Sequence, residues 1–199
     1  LRDVLDFRPV RANANNASGA NTTNDISSNT LALEISVSAD GGVPDESVIA
    51  DCQASLEYLR GLDYCNGNVG IIGTCSGGRQ SFLVACRIPG FSALVDCWGG
   101  NIIMAPDRIT EKQPVAPIEY TKDLSCPMLG IYGNEDQNPS PEQVNQLEAE
   151  LAKHGKNYKM YRYDDAGHGL WYYDRPMYRQ EQAMDSWNKT LEFFDANLR

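Results

Sequence analysis

The chain reads as an α/β fold: a mostly parallel sheet with helices packed on both faces. Three observations predict this. Short apolar runs of strand length fall at residues 68–73, 92–97, 127–132 and 157–163. Stretches with helical spacing of apolar residues lie among them, the alternation that builds parallel sheets from strand–helix units. The run Gly70-Ile71-Ile72-Gly73-Thr74-Cys75-Ser76-Gly77-Gly78-Arg79 passes from a strand pattern through a Gly-flanked turn into a helix pattern. Sharp strand–turn–helix junctions of this kind lift one side chain above the end of a parallel sheet.

Residues 40–199 form the expected α/β domain, and residues 1–39 stand apart from it. Residues 12 to 30 are almost entirely Ala, Asn, Ser, Thr and Gly. Such a stretch has little apolar surface to bury, so a long irregular segment is expected. Asn16-Ala-Ser and Asn21-Thr-Thr match the glycosylation sequon, which arises readily by chance in this composition. Leu31-Ala-Leu-Glu-Ile-Ser-Val alternates and fits a strand or one turn of helix.

From Asp40 the patterns sharpen. Pro44-Asp45-Glu46 opens a helix with acids in the first turn, where they complement the helix dipole. Val48, Ile49, Cys52, Leu56 and Leu59 form its apolar stripe, and it ends near Gly61. The strand at 68–73 and the helix through Gln80-Ser81-Phe82-Leu83-Val84-Ala85-Cys86 follow. The strand at 92–97 ends in Gly99-Gly100. Residues 101 to 126 form a long connection with Pro106, Pro114 and Pro117 and no clear period. After the strand at 127–132, Ser140-Pro141-Glu142-Gln143 is a capping box with Pro at the first helical position. Val144, Leu147 and Leu151 are that helix's core face, and Gly155 ends it. The last helix runs from about residue 179 to 197, with Met184, Trp187, Leu191 and Phe194 on one face. The right-handed crossover rule makes the four strands parallel neighbours in sequence order.

Composition narrows the function classes. The chain has 199 residues, 42% hydrophobic and 22% charged, and a formal net charge of -10. That charge argues against nucleic acid and anionic membrane surfaces as partners. No run approaches the roughly 18 apolar residues of a membrane span. The six cysteines include no CxxC and no Cys/His cluster, so no metal site and no cofactor are expected. Cys52, Cys86, Cys97 and Cys126 sit in apolar surroundings, where Cys acts as a small hydrophobe. A reducing compartment follows, the cytoplasm or an organelle interior.

The chemistry is expected at the carboxyl ends of the strands. Cys75 follows the strand at 68–73, at the start of a helix whose dipole and free N–H groups favour a thiolate. A buried structural Cys in a turn is the alternative. Asp136 follows the strand at 127–132, and His168 the strand at 157–163. The order nucleophile, acid, base is that of α/β-hydrolases. Glu135, Asp164 and Asp165 compete with Asp136 for the acid. Asp164 and Asp165 lie too near His168 in sequence for the usual separate-loop geometry. The other histidine, His154, sits at a helix C-terminus before Gly155, where a cation complements the dipole. Ser76 offers its backbone N–H to a developing oxyanion. Trp98, Trp171 and Tyr172, with Tyr173, follow strand ends and either line an apolar substrate pocket or serve as ordinary core and rim aromatics.

These residues resemble the dienelactone hydrolase family of α/β-hydrolases. The resemblance rests on Val69-Gly70-Ile71-Ile72-Gly73-Thr74-Cys75-Ser76-Gly77-Gly78-Arg79, on Leu129-Gly130-Ile131-Tyr132-Gly133-Asn134-Glu135-Asp136 and on Gly167-His168-Gly169, with Asp174-Arg175-Pro176 before the last helix. It covers roughly residues 41 to 199. It implies an α/β-hydrolase fold and a Cys-His-Asp triad acting on an ester or lactone. It also implies more structure before the elbow than this chain displays, since the family fold places several strands and a helix there. Part of the N-terminal half is therefore expected to be lacking, as in a fragment of a longer polypeptide or, less favoured, a member with an eroded half. The far side of the elbow strand is then expected to be open or covered by another chain. Three function classes stay open: a cysteine-type ester or lactone hydrolase acting on a small molecule, an inactive hydrolase-like binding or structural subunit, and a thioesterase or acyltransferase using the same triad.

Overall fold

The computed structural model describes the backbone of Val4–Phe7 and residues 41–199. Along the chain run β1 (Val4–Phe7), α1 (Asp45–Arg60), β2 (Gly70–Thr74), α2 (Ser76–Arg87) and β3 (Ala93–Cys97). Then come β4 (Met128–Gly133), α3 (Pro141–Lys153), β5 (Tyr158–Tyr163) and α4 (Gln180–Leu198). The long connection after β3 holds two short 3-10 segments, Pro106–Arg108 and Pro117–Asp123. The strands form one sheet in the order β1-β2-β3-β4-β5, every neighbouring pair parallel. The four strands read from the sequence are therefore parallel neighbours in sequence order, as the crossover rule requires.

Side chains on the middle strands alternate between two cores, the period of two that a pleated strand imposes. Ile71 of β2, Leu94 of β3 and Met128 and Tyr132 of β4 join one core with Val48, Cys52 and Leu56 of α1, Phe82 of α2 and Leu147 and Leu151 of α3. Ile72, Val95, Leu129 and Ile131 point to the other face, where Ala183 and Phe194 of α4 cover them. β2, β3 and β4 are buried almost throughout because helices lie on both sides. The capping box of α3 forms as expected: Gln143 N–H donates to Ser140 Oγ and Ser140 N–H donates to Gln143 Oε1. His154 is the C-cap of α3, its ring Nε2 2.9 Å from Glu150 Oε1.

Two expectations need correction. The far side of β2 is filled from within the chain: Val4–Phe7 pairs in parallel with residues 70–73. Parallel pairing needs only backbone groups, and a strand of four residues is too short to leave a pattern. The stripe of α4 is also different. Its buried residues are Ala183, Ser186, Thr190 and Phe194, while Met184 and Trp187 are exposed. Ser186 and Thr190 tolerate burial because their hydroxyls donate back to the Gln182 and Ser186 carbonyls at 2.6 and 2.9 Å. The sequons at Asn16 and Asn21, the alternating run at 31–37 and the rest of the 1–39 segment beyond β1 lie outside the described residues. Among the described residues, no helix is long and apolar enough to cross a membrane.

Candidate active site

The junction between β2 and α2 is a tight elbow with Cys75 at its tip. Cys75 has φ 57 and ψ -122, a region that non-glycine residues rarely enter. Holding such a conformation costs roughly 1–3 kcal/mol and is maintained only where surrounding structure over-determines it. Cys75 N–H donates to the Cys97 carbonyl at 3.0 Å, and the Cys75 carbonyl accepts from Gly78 and Arg79 N–H. Strand and helix approach so closely that a Cβ on Gly73 would lie 2.0 Å from the Gly77 carbonyl oxygen. Only glycine fits there. Ser76 and Gly77, the first residues of α2, carry N–H groups that no turn of the helix can satisfy.

The acid and the histidine come from the loops after β4 and β5. Asp136 is 3% exposed and divides its two oxygens between two partners. Oδ1 accepts from Asn138 N–H at 2.9 Å, and Oδ2 lies 2.9 Å from His168 Nδ1. Of the four candidate acids, Asp136 is the one whose carboxylate meets His168. Asp164 is exposed and accepts from Asn134 instead, and Glu135 and Asp165 are exposed. The Cys75 side chain also bears on the His168 imidazole electrostatically. Burial pulls the imidazole's pKa down. The hydrogen bond to Asp136 and the interaction with Cys75, together with the charge on each, outweigh that pull and raise it to about 10. Of the residues that sequence order proposed, Asp136 and His168 are thus hydrogen-bonded, and Cys75 acts on the same imidazole.

Aromatic rings flank this chain. Trp98 is fully buried, its ring edge-on to Trp171 at 5.2 Å and to Tyr172 at 6.0 Å. Trp171 is edge-on in turn to Trp187 at 5.2 Å, and its indole N–H donates to Ser186 Oγ at 2.7 Å. On the outer side of Trp171 lies an open groove of about 340 Å³, bordered by Tyr173, Tyr178, Ala183, Met184 and Trp187. Trp171 and Tyr173 are the proposed pocket residues that line the groove. Trp98 lies beneath it and Tyr172 beside it.

Two buried polar features carried no sequence signal. Arg79, on α2, makes a two-pronged pair with Asp45 of α1 at 2.6 and 3.0 Å, both side chains almost wholly buried. Asp96, on β3, is fully buried and accepts from Tyr132 O–H and from Gly99 N–H. In the sequence Asp45 reads as a first-turn acid, and Asp96 falls within the apolar run at 92–97. Their partners lie 34 and 36 residues away, beyond any local pattern.

Residues 27–198 match the dienelactone hydrolase family. The chain belongs to that family. A relative in Methylorubrum extorquens, named "Putative carboxymethylenebutenolidase", is 30% identical over 171 residues, covering 85% of this chain and 57% of the relative. A Bradyrhizobium protein named "Probable 2-oxo-3-(5-oxofuran-2-ylidene)propanoate lactonase" is 27% identical over 172 residues, covering 86% of this chain and 66% of its own. The crystal structure titled "Putative Dienelactone Hydrolase", from Klebsiella pneumoniae, superposes with a TM-score of 0.70 at 26% identity. That superposition covers 76% of this chain and 62% of the other. This member of the dienelactone hydrolase family spans about three fifths of the length of these relatives, and its fold is an α/β-hydrolase fold.

Proposed function

We propose that the chain hydrolyses a small-molecule ester or lactone through a Cys75 thioester. The observation that carries this reading is a histidine hydrogen-bonded to Asp136 and acting on Cys75, with Cys75 on a strained elbow. Asp136 accepts from His168 Nδ1, which fixes the ring and leaves the other nitrogen for the thiol. A histidine whose pKa lies at about 10 holds a proton at neutral pH. Attack uses the thiolate form of Cys75, with the proton held on His168.

Cys75 sulfur bonds to the carbonyl carbon, and the carbonyl electron pair moves to oxygen. Ser76 N–H, at the positive end of α2, donates to that oxyanion, a contact worth about 3 kcal/mol of barrier. The alkoxide leaves with the proton from His168, giving the acyl-Cys75 thioester. Water then attacks, His168 taking its proton, and the thiolate departs as the acid forms. In a lactone, acid and alcohol remain one molecule. Trp171 supplies an apolar wall, with Trp98 packed edge-on against it. Cysteines that are all free fit a reducing compartment, the cytoplasm or an organelle interior.

Turnover of p-nitrophenyl acetate tests the reading. Wild-type protein is expected to give an acyl-enzyme burst and steady turnover, and Cys75→Ala to give neither. Equal rates for the two would favour a binding or structural role. Preference for an acyl-thioester over the oxygen ester would place the same chemistry in a thioesterase.

A further inference from the structure

Asp96 is a fully buried carboxyl group that the reaction does not use. The alternation of β3 turns it away from α4 and under the first turn of α2. There its Oδ1 sits so close to two backbones that a Cβ on either Gly78 or Gly99 would lie 2.4 Å from it. The two backbones also touch each other: the same Cβ on Gly78 would lie 2.7 Å from Gly99 Cα. The carboxylate is wedged at the contact between the elbow helix and the turn after β3.

Both neighbours lead to the reacting groups. Gly78 N–H donates to the Cys75 carbonyl, so the wedge bears on the elbow itself. Gly99 N–H donates to Asp96 Oδ1 at 2.9 Å, closing the turn that holds Trp98 at φ 42. Trp98 in that pose meets Trp171 and Tyr172, which follow His168 by three and four residues.

We propose that Asp96 is a positioning residue that sets Cys75 and His168 relative to each other through Gly78 and Trp98. This rests on the reading of Cys75 and His168 as the reacting pair. Burial raises the Asp96 pKa to about 6, opposed by the hydrogen bonds from Tyr132 and Gly99. A buried charge is costly, and an apolar residue would fill the same space at less cost. The carboxylate is explained by what it aligns: one oxygen for the turn, the other for Tyr132 on β4.

Asp96→Asn keeps the size and removes the charge; Tyr132→Phe removes one of the two donors and leaves Asp96 in place. Three quantities are measured on each: melting temperature, kcat and KM for p-nitrophenyl acetate, and the pH dependence of Cys75 alkylation by iodoacetamide. Asp96→Asn is expected to lower kcat ten- to a hundredfold, on the order of the loss from a misplacement of about 1 Å, with KM little changed. Its alkylation profile should move away from that of wild type, and Tyr132→Phe should move it less, in the same direction. A lowered melting temperature with wild-type kcat and alkylation profile would overturn the proposal. If Asp96→Asn does not fold, the Tyr132→Phe profile decides alone. If wild type shows no Cys75-dependent turnover, the functional reading fails, while the alkylation profiles still decide the positioning role.

Discussion

Cys75 and Cys97 are joined by a backbone hydrogen bond, the Cys75 N–H donating to the Cys97 carbonyl at 3.0 Å. Through it the elbow is tied to the end of β3, and Trp98 N–H carries the tie on to the Ile131 carbonyl of β4. The Cys75 backbone is therefore held by the sheet rather than by a free loop. Sites built on rigid elements hold their geometry better than sites on loops.

The histidine makes the fold sensitive to alkaline pH. The His168 pKa is 6.5 as a free side chain and about 10 in the folded chain. A group whose folded value is raised stabilises the fold fully below 6.5 and loses that contribution as pH climbs through about 10. Thermal melts of wild type and His168→Gln across this window should show a gap that narrows as pH rises. A gap constant with pH would mean that the imidazolium is not held by Asp136 and Cys75.

The thiols should react in a fixed order. Burial pushes Cys52 and Cys126 up to about 12 and Cys86 higher still. Cys97 is also buried, whereas Cys65 and Cys75 are part-exposed. Only Cys75 lies at a helix N-terminus beside a histidine, the setting that activates a thiol. Partial labelling with iodoacetamide at neutral pH, read by mass spectrometry, should find Cys75 first and Cys65 second. Labelling of Cys86 or Cys126 ahead of Cys75 would remove the chemical basis of the elbow assignment.

The Asp45–Arg79 pair ties the start of α1 to the elbow helix, and its two halves are not independent. Removing one partner leaves a buried charge and should cost about 3–5 kcal/mol, whereas replacing both with apolar residues of similar volume should be near neutral. Urea unfolding of Arg79→Met, Asp45→Leu and the double variant measures this. Additive losses in the double variant would mean that the pair interacts little.

How much of this was legible in the sequence depended on the range of each signal. The four strands from 68 to 163 and the elbow were legible because local pattern sets them: apolar runs, paired glycines, a capping box. The order Cys75, Asp136, His168 was legible for the same reason. The choice among Glu135, Asp136, Asp164 and Asp165 was not settled by the residues, since burial of one carboxylate against a histidine is a tertiary fact. β1 went unread because four residues carry no period. The α4 stripe was misread because hydropathy scores Ser186 and Thr190 as polar, although their hydroxyls are satisfied within the helix. Asp96 was unreadable because its partner Tyr132 lies on another strand.

The misread stripe has a consequence at the site. Ser186 Oγ accepts from the Trp171 indole at 2.7 Å while donating to the Gln182 carbonyl, so one hydroxyl links α4 to the wall beside His168. Ser186→Ala removes the acceptor and leaves the indole N–H without a partner. A buried donor left unsatisfied costs about 1–3 kcal/mol, unless the ring turns to reach water. Turning would break the edge-on contacts of Trp171 with both Trp98 and Trp187. Ser186→Ala is therefore expected to lower the melting temperature and to shift tryptophan emission to longer wavelength as Trp171 becomes wetter. Ser186→Thr keeps the acceptor and should restore both. Unchanged emission in Ser186→Ala would show that stacking alone holds Trp171.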